Sequence, residues 1–311
     1  MGSWKEEDIG DLAGMRAVVT GANSGLGYYT AMALATHGAH VVMACRDQQR
    51  SRKPFDEVSA KATGTVELRT LDLADLDSVA DFATGIRNDF SAVDLLVNNA
   101  GVMGGPQRTT AQGLELQMGT NHLGHFALTA QLWPVLTAAK AARVVSLSSI
   151  AAQNGRLNAA MTRETLVDPK PYRAFGVYSN TKQATLLFSQ ELSRRVQSAR
   201  RQVVSVAAHP GVSSTNLFNR QLREGHLGFL VPLAGGLGRL AFPAPHTSAH
   251  PSIRAATDVS VPNGSLVGPG AVAEIWGSPE VVSVFSTGRD VETAARLWSL
   301  SEEITGSELA V

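Results

Sequence analysis

Tyr178 and Lys182 stand four positions apart in a segment, Val177 to Ser198, whose pattern predicts a helix. At that spacing both side chains leave one helix face, so the lysine ammonium can stand beside the tyrosine phenol. A free phenol titrates near pKa ~10, too high for an efficient base at neutral pH, and an adjacent cation favours the phenolate. The pair is therefore suited to general acid–base work. Tyr-x-x-x-Lys arises often by chance on helices, so its surroundings matter. Upstream, an apolar run ends in Ser146-Leu147-Ser148-Ser149, and a hydroxyl there can donate to an oxygen on which charge develops. Either Ser148 or Ser149 could instead spend its hydroxyl on local backbone.

A second kind of chemistry is written near the N-terminus. Thr20-Gly21-Ala22-Asn23-Ser24-Gly25-Leu26-Gly27 directly follows a predicted strand and opens a predicted helix, the context a dinucleotide-binding turn requires. Gly21 would permit the tight turn, Gly25 the approach of backbone to pyrophosphate, and Gly27 close packing of helix on strand. The helix N-terminus then faces the phosphate charge. The second strand runs into Cys45-Arg46-Asp47. An acid at this place holds the ribose hydroxyls of NAD, whereas an arginine accommodates the extra phosphate of NADP. Arg46, with Arg50 and Lys53 one or two turns on, favours NADP. NAD stays open through the alternative in which Arg46 is a solvated cation and Asp47 the ribose ligand, although Asp47 is also an N-cap candidate.

With its G-x-x-x-G-x-G spacing, this set resembles the short-chain dehydrogenase/reductase family over about residues 12–215. The likeness is greatest to the retinol-dehydrogenase-like and protochlorophyllide-reductase-like branch, on Asn23-Ser24-Gly25-Leu26-Gly27, Cys45-Arg46-Asp47 and the long segment before Tyr178. The resemblance implies further site residues. Asp72 and Leu73 would flank the adenine. Asn98, Ala100 and Gly101 belong to an Asn-Asn-Ala-Gly signature at the cofactor, which could equally be an ordinary strand-ending turn. Pro210 and Gly211 would meet the nicotinamide carboxamide, with His209 structural. Ser149 becomes the substrate-orienting serine, and Asn121 the residue that holds a water linking Lys182 to solvent. The implied activity is hydride transfer between a nicotinamide and the carbon of an alcohol, ketone or aldehyde. Tyr178 would exchange the proton, and Lys182 would lower its pKa and bind the nicotinamide ribose. No metal is expected, since His122 and His125 at i and i+3 lack a third nearby ligand. A homodimer or homotetramer through the helices of Asn121 and Tyr178 is implied as well.

Two other classes stay in view. A carbon–carbon double-bond reductase of the protochlorophyllide type would use an active-site cysteine, yet the only cysteine, Cys45, falls beside the expected adenosine. A non-catalytic NADP-binding sensor or scaffold would typically have lost the serine, tyrosine or lysine, and all three are present.

The elements that must position these residues follow a βαβ rhythm. Strands are expected at Arg16–Thr20, His40–Ala44, Val66–Thr70, Asp94–Val97, Arg143–Leu147 and Gln202–Ala208. Helices are expected at 25–37, 48–62, 75–90, 112–140, 177–198 and 289–304. Continuously apolar strands predict a doubly wound parallel α/β sheet of the Rossmann type, covered on both faces. The 311 residues read as one domain: a 12–215 core, a substrate-covering region over 216–270 and a helical C-terminal region over 271–311. The segment between Ser149 and Tyr178, and an apolar stretch from Leu227 to Phe242, point to a hydrophobic substrate. Twenty-seven basic and 27 acidic residues cancel with no basic block, which argues against nucleic-acid partners. One cysteine excludes an intrachain disulfide. A polar N-terminus without an apolar leader, and no stretch able to span a bilayer, lead to the expectation of a cytoplasmic protein.

Overall fold

In the computed structural model the described residues are 4–211, 244–271, 274 and 276–311. Each apolar run of the first two thirds becomes a strand: β1 (Arg16–Thr20), β2 (His40–Cys45), β3 (Val66–Thr70), β4 (Leu95–Asn98), β5 (Ala142–Leu147) and β6 (Val203–Ala208). With β7 (Leu266–Ala271) and β8 (Trp276–Val282) they form one sheet in the order β3-β2-β1-β4-β5-β6-β7-β8. Every neighbouring pair is parallel except β7 with β8. Strand order reverses between β1 and β4, which opens a crevice beyond their carboxyl ends, the place where such sheets bind ligands.

The helices are α1 (Gly25–Thr36), α2 (Gln48–Lys61), α3 (Leu76–Asp89), α4 (Leu116–Met118), α5 (Gly124–Thr137), α6 (Arg163–Val167), α7 (Ala174–Ser198), α8 (Pro245–Thr257) and α9 (Val291–Thr305). They cover both faces. Ala17, Val19, Val41 and Met43 pack with Leu34 of α1, Val58 of α2 and Ile253 of α8. Val18, Val42, Leu96 and Val144 pack on the other face with Phe82 of α3, Phe126 of α5, Phe188 of α7 and Trp298 of α9. Alternate side chains of one strand thus enter two cores, which is why the strands read as unbroken apolar runs. The expected helix over 112–140 is divided: α4 passes into a π-helical turn, Gly119–Leu123, before α5 begins.

The C-terminal third departs from the expected layout. Residues 245–270, placed by sequence in a substrate-covering region, form α8 and all but the last residue of β7 and belong to the body of the fold, with Ala207 of β6 registered against Leu266 of β7. The region after 271 is not wholly helical, since β8 pairs antiparallel with β7 before α9. Residues 212–243, including the Leu227–Phe242 stretch, lie outside the described residues. Among the described residues, no helix is long and apolar enough to cross a membrane.

Candidate active site

The expected phosphate turn follows β1 at the crevice. Gly21 (φ 65°) and Gly25 (φ 57°) take left-handed conformations, and a Cβ on Gly25 would meet nothing within 4 Å. At Gly27 a Cβ would overlap the Asn99 amide and the Gly21 carbonyl, so helix and turn touch there through bare backbone. The N-terminus of α1 is left open. Ser24 is its N-cap residue but makes no side-chain cap, and the first turn holds no acid. By contrast Asp47 caps α2 (Arg50 N–H, 3.0 Å), Asp75 caps α3 (Asp77 N–H, 3.1 Å) and Asp290 caps α9 (Glu292 N–H, 3.0 Å). An uncapped, acid-free helix end beside open glycine backbone suits the pyrophosphate of a dinucleotide.

Asn98 and its neighbours end β4 on the other side of the crevice. The Asn98 amide is buried and its Nδ2 donates to Thr129 Oγ1 of α5 (3.1 Å), while its Oδ1 has no hydrogen-bond partner among the described residues. Asn99, left out of the expected site, braces the turn: its Nδ2 donates to the Thr20 carbonyl (2.7 Å). The N–H groups of Asn99 and Ala100 both donate to Thr20 Oγ1 (2.9 Å each). Asp72 accepts from the Ala74 N–H (2.9 Å), and Leu73 is buried. Arg46 is exposed after β2 and has no hydrogen-bonding or ionic partner among the described residues, whereas Asp47 is engaged as cap of α2 and pairs with Arg50 (3.3 Å).

The catalytic candidates converge past the ends of β5 and β4. Tyr178 and Lys182 lie on α7, with Lys182 Nζ 5.8 Å from the Tyr178 ring centre and donating to the Leu147 carbonyl (2.8 Å). The Ser149 hydroxyl is near enough to the Tyr178 phenol to favour its ionised form. The two serines separate cleanly. Ser148 is buried and donates to the Lys182 carbonyl (2.8 Å), while the Ser149 hydroxyl, at the edge of the crevice, accepts from the Ala151 N–H (3.2 Å) and keeps its own proton for Tyr178 or a substrate. Asn121 lies in the π-helical turn. Its Oδ1 accepts from the Val102 N–H (2.7 Å), and its Nδ2 donates to the Val102 carbonyl (2.9 Å) and to Thr181 Oγ1 (3.0 Å). A Cβ on Gly101 would stand 3.3 Å from Asn121 Oδ1 and 3.6 Å from Lys182 Nζ, which puts these residues in one cluster. Pro210 and Gly211 follow β6, with the Gly211 N–H donating to His209 Nδ1 (3.3 Å).

One electrostatic expectation is corrected. Tyr178 has its pKa pushed up to about 12 by burial, with the Ser149 hydroxyl acting the other way, rather than drawn down by Lys182. Burial also lowers Lys182 to about 8. Desolvation of the phenol outweighs a cation that already gives a hydrogen bond to a carbonyl.

Beyond the expected residues, Phe175 sits on the first turn of α7, 53% exposed, with its ring centre 6.3 Å from that of Tyr178. Gln117 joins the loop after β4 to the start of α7, accepting from the Gly104 N–H (2.8 Å) and donating to Tyr172 Oη (3.0 Å). The 28 residues between Ser149 and Tyr178 (150–177) are docked: Leu157, Met161 and Leu166 pack with Leu297 and Leu300 of α9. Cys45 is buried under the phosphate turn, held by the backbone of Ala22 and Asn23.

Comparison with known proteins agrees with this geometry. A family model described as short chain dehydrogenase matches residues 15–161. Retinol dehydrogenase 13 of Homo sapiens is 34% identical over 298 residues, covering 96% of this chain and 86% of that protein. The crystal structure of an uncharacterized protein from Mycobacterium paratuberculosis superposes with a TM-score of 0.80 at 37% identity, covering all of both chains. A gluconate 5-dehydrogenase structure from Beutenbergia cavernae with bound NADP gives 0.60 at 26% identity, covering 82% of this chain and 95% of that one. The chain belongs to the short-chain dehydrogenase/reductase family, on its retinol-dehydrogenase-like branch, and is an NAD(P)-dependent oxidoreductase acting on CH–OH and C=O groups.

Proposed function

We propose that the protein is an NADP-dependent oxidoreductase of an apolar alcohol and its carbonyl partner, working through Ser149, Tyr178, Lys182 and Asn121. The observation that carries this reading is the division of labour between the serines: Ser148 is bonded to the Lys182 carbonyl, and Ser149 joins Tyr178 at the crevice. A bound dinucleotide would be held by the Gly21–Gly27 turn, Arg46, the Asp72–Leu73 and Asn98–Gly101 segments, Pro210 and Gly211, and it supplies or accepts the hydride. In reduction Tyr178 gives its phenolic proton to the carbonyl oxygen, and Ser149 donates a hydrogen bond to that oxygen as negative charge grows on it. The high phenol pKa keeps Tyr178 protonated at neutral pH, as a proton donor must be. Lys182 places positive charge beside the phenolate left behind and, near the nicotinamide ribose, helps hold the cofactor. In oxidation the proton runs the other way. Asn121 supports proton delivery by tying the loop at Val102 to Thr181, one residue before Lys182.

Preference for NADP rests on Arg46, exposed and without a partner among the described residues, beside an Asp47 already spent on capping α2. Preference for an apolar substrate rests on the exposed Phe175 next to Tyr178, and retinol in the names of the relatives accords with it. A homodimer or homotetramer is part of the same proposal, resting on family membership, and light scattering reads it directly. Calorimetric titration with NADPH and NADH at matched salt tests the cofactor reading. NADPH should bind more tightly, and Arg46→Ala should cost it about 10- to 100-fold, the worth of one charge-assisted contact, while sparing NADH. Equal binding of both, unchanged in Arg46→Ala, would refute the preference.

A further inference from the structure

Away from the active site, His246 and His250 stand at i and i+4 on α8, and Glu6 from the N-terminal turn reaches between them. One carboxylate oxygen, Glu6 Oε2, lies 3.1 Å from His246 Nε2 and 3.7 Å from His250 Nε2. Among the described residues this is the one group of three His, Cys, Asp or Glu side chains whose ligand atoms all lie within 4.8 Å of one another. We propose that Glu6, His246 and His250 form a binding site for a divalent transition-metal ion, Zn²⁺ being the best fit to two imidazoles and one carboxylate.

The distances carry the argument. Ligands about 2.0–2.1 Å from a tetrahedral zinc are about 3.3–3.4 Å from each other. The two N···O separations bracket that edge, and the two imidazole ligand atoms are within 4.8 Å of each other. Hydrogen bonding leaves the cluster incomplete. Glu6 Oε2 is within hydrogen-bond reach of His246 Nε2, yet His250 Nε2 is sealed from solvent and has no hydrogen-bond partner among the described residues. A metal would engage all three atoms, with solvent at the fourth position on the exposed His246 side. The rings are held in place: Trp4 meets His250 edge-on at 6.0 Å, and Tyr29 of α1 meets His246 edge-on at 5.4 Å. The N-terminal end of α8 disfavours a cation. Glu6 and the neighbouring Glu7, whose charge reaches His250, oppose that. Such an ion would pin the N-terminal turn to α8, a role separate from hydride transfer.

The test uses the untagged full-length chain, stripped with EDTA and titrated with ZnCl₂ by calorimetry near pH 7.5, with Co²⁺ absorption as a second readout. One Zn²⁺ per chain is expected, with a tetrahedral Co²⁺ spectrum and a higher melting temperature in the loaded form. Loss of even an outer partner typically weakens a metal site 10- to 100-fold, so Glu6→Gln and His246→Gln should each weaken binding by about 100-fold or more. His40→Asn, at the separate His40–Glu67 pair, should leave it unchanged. Glu6→Gln keeps the shape of a partly exposed side chain, and retained NADPH binding certifies its fold. Absence of zinc binding up to about 1 mM, or one-to-one binding equally strong in Glu6→Gln and His246→Gln, overturns the proposal.

Discussion

Two pairs of titratable side chains lie on adjacent helices of this fold, both closely surrounded by protein, and only one is equipped for chemistry. His125 uses both ring nitrogens: Nδ1 donates to the Asn121 carbonyl (3.0 Å), which leaves Nε2 to take the Thr20 hydroxyl (2.9 Å). His122 Nε2 is bonded to Ser301 (2.8 Å), and its ring packs between Phe126 and Phe188. Burial drives both imidazoles far down, His122 to about 3 and His125 to about 4, so they are neutral structural groups at any ordinary pH. Tyr178 and Lys182 are desolvated too, but among the described residues the phenol has only the Ser149 hydroxyl acting on its ionisation. A shifted pKa therefore does not mark a catalytic group by itself. Capacity left over after the protein's own hydrogen bonds does, and His125 supports that capacity from behind by joining Thr20 of the phosphate turn to Asn121 of the catalytic cluster.

Substitutions that exchange the two situations should break the comparison in graded fashion. Tyr178→Phe removes the proton donor and should lower kcat by about 10²–10⁴-fold or more while NADPH affinity stays close to wild type. Ser149→Ala should cost about 10²–10³-fold in kcat. Ser148→Ala, one residue away, should act mainly on stability, lowering it by about 0.5–1.5 kcal/mol in denaturant titrations as the buried hydroxyl's bond to the Lys182 carbonyl is lost. If the two serine variants traded these phenotypes, the assignment of Ser149 would fall.

The histidines make a smaller prediction about pH. Their folded pKa values lie below the unfolded value near 6.5, so on acidification the unfolded chain takes up protons that the fold excludes. Stability should hold above about pH 6.5 and fall between there and about pH 4, by up to about 1.4 kcal/mol per pH unit for each imidazole. His122→Phe, able to fill the same aromatic contacts, should remove its share of that slope and leave kcat nearly unchanged. A slope equal to wild type in that variant would mean that His122 is not held neutral.

Much of the site is legible in the sequence because its residues end strands that are apolar on both faces. β1 to β6 announce themselves, and the turns after them follow. Orientation is harder to read. Asn98 and Asn99 are adjacent and chemically identical, yet one is spent on Thr129 and the other braces the glycine turn, a choice made by α5 and β1 rather than by local pattern. β7 was missed because glycines break its strand pattern, and tertiary crowding requires them: a Cβ on Gly268 would overlap the His209 ring, and one on Gly270 the Glu280 carboxylate. α8 hides behind Pro245 and Pro251 and buries mostly small residues, Ala249, Ser252, Ala255 and Ala256. His246 and His250 are four positions apart in the sequence, but Glu6 is 240 positions from His246 and is brought to them only by folding. Gly25 and Gly27 of the phosphate turn needed no such help, since their spacing behind a strand already fixes their surroundings.

The central claim is that Tyr178 and Ser149 trade a proton with a substrate oxygen while hydride passes at the neighbouring carbon. Its most direct test is a single-turnover reaction of decanal or all-trans-retinal with C4-deuterated NADPH, run on the wild type and on Tyr178→Phe. Deuterium should appear on the carbinol carbon of the wild-type product, and the variant should bind NADPH normally but form almost no labelled alcohol. Labelled alcohol formed at an undiminished rate by Tyr178→Phe would contradict the account.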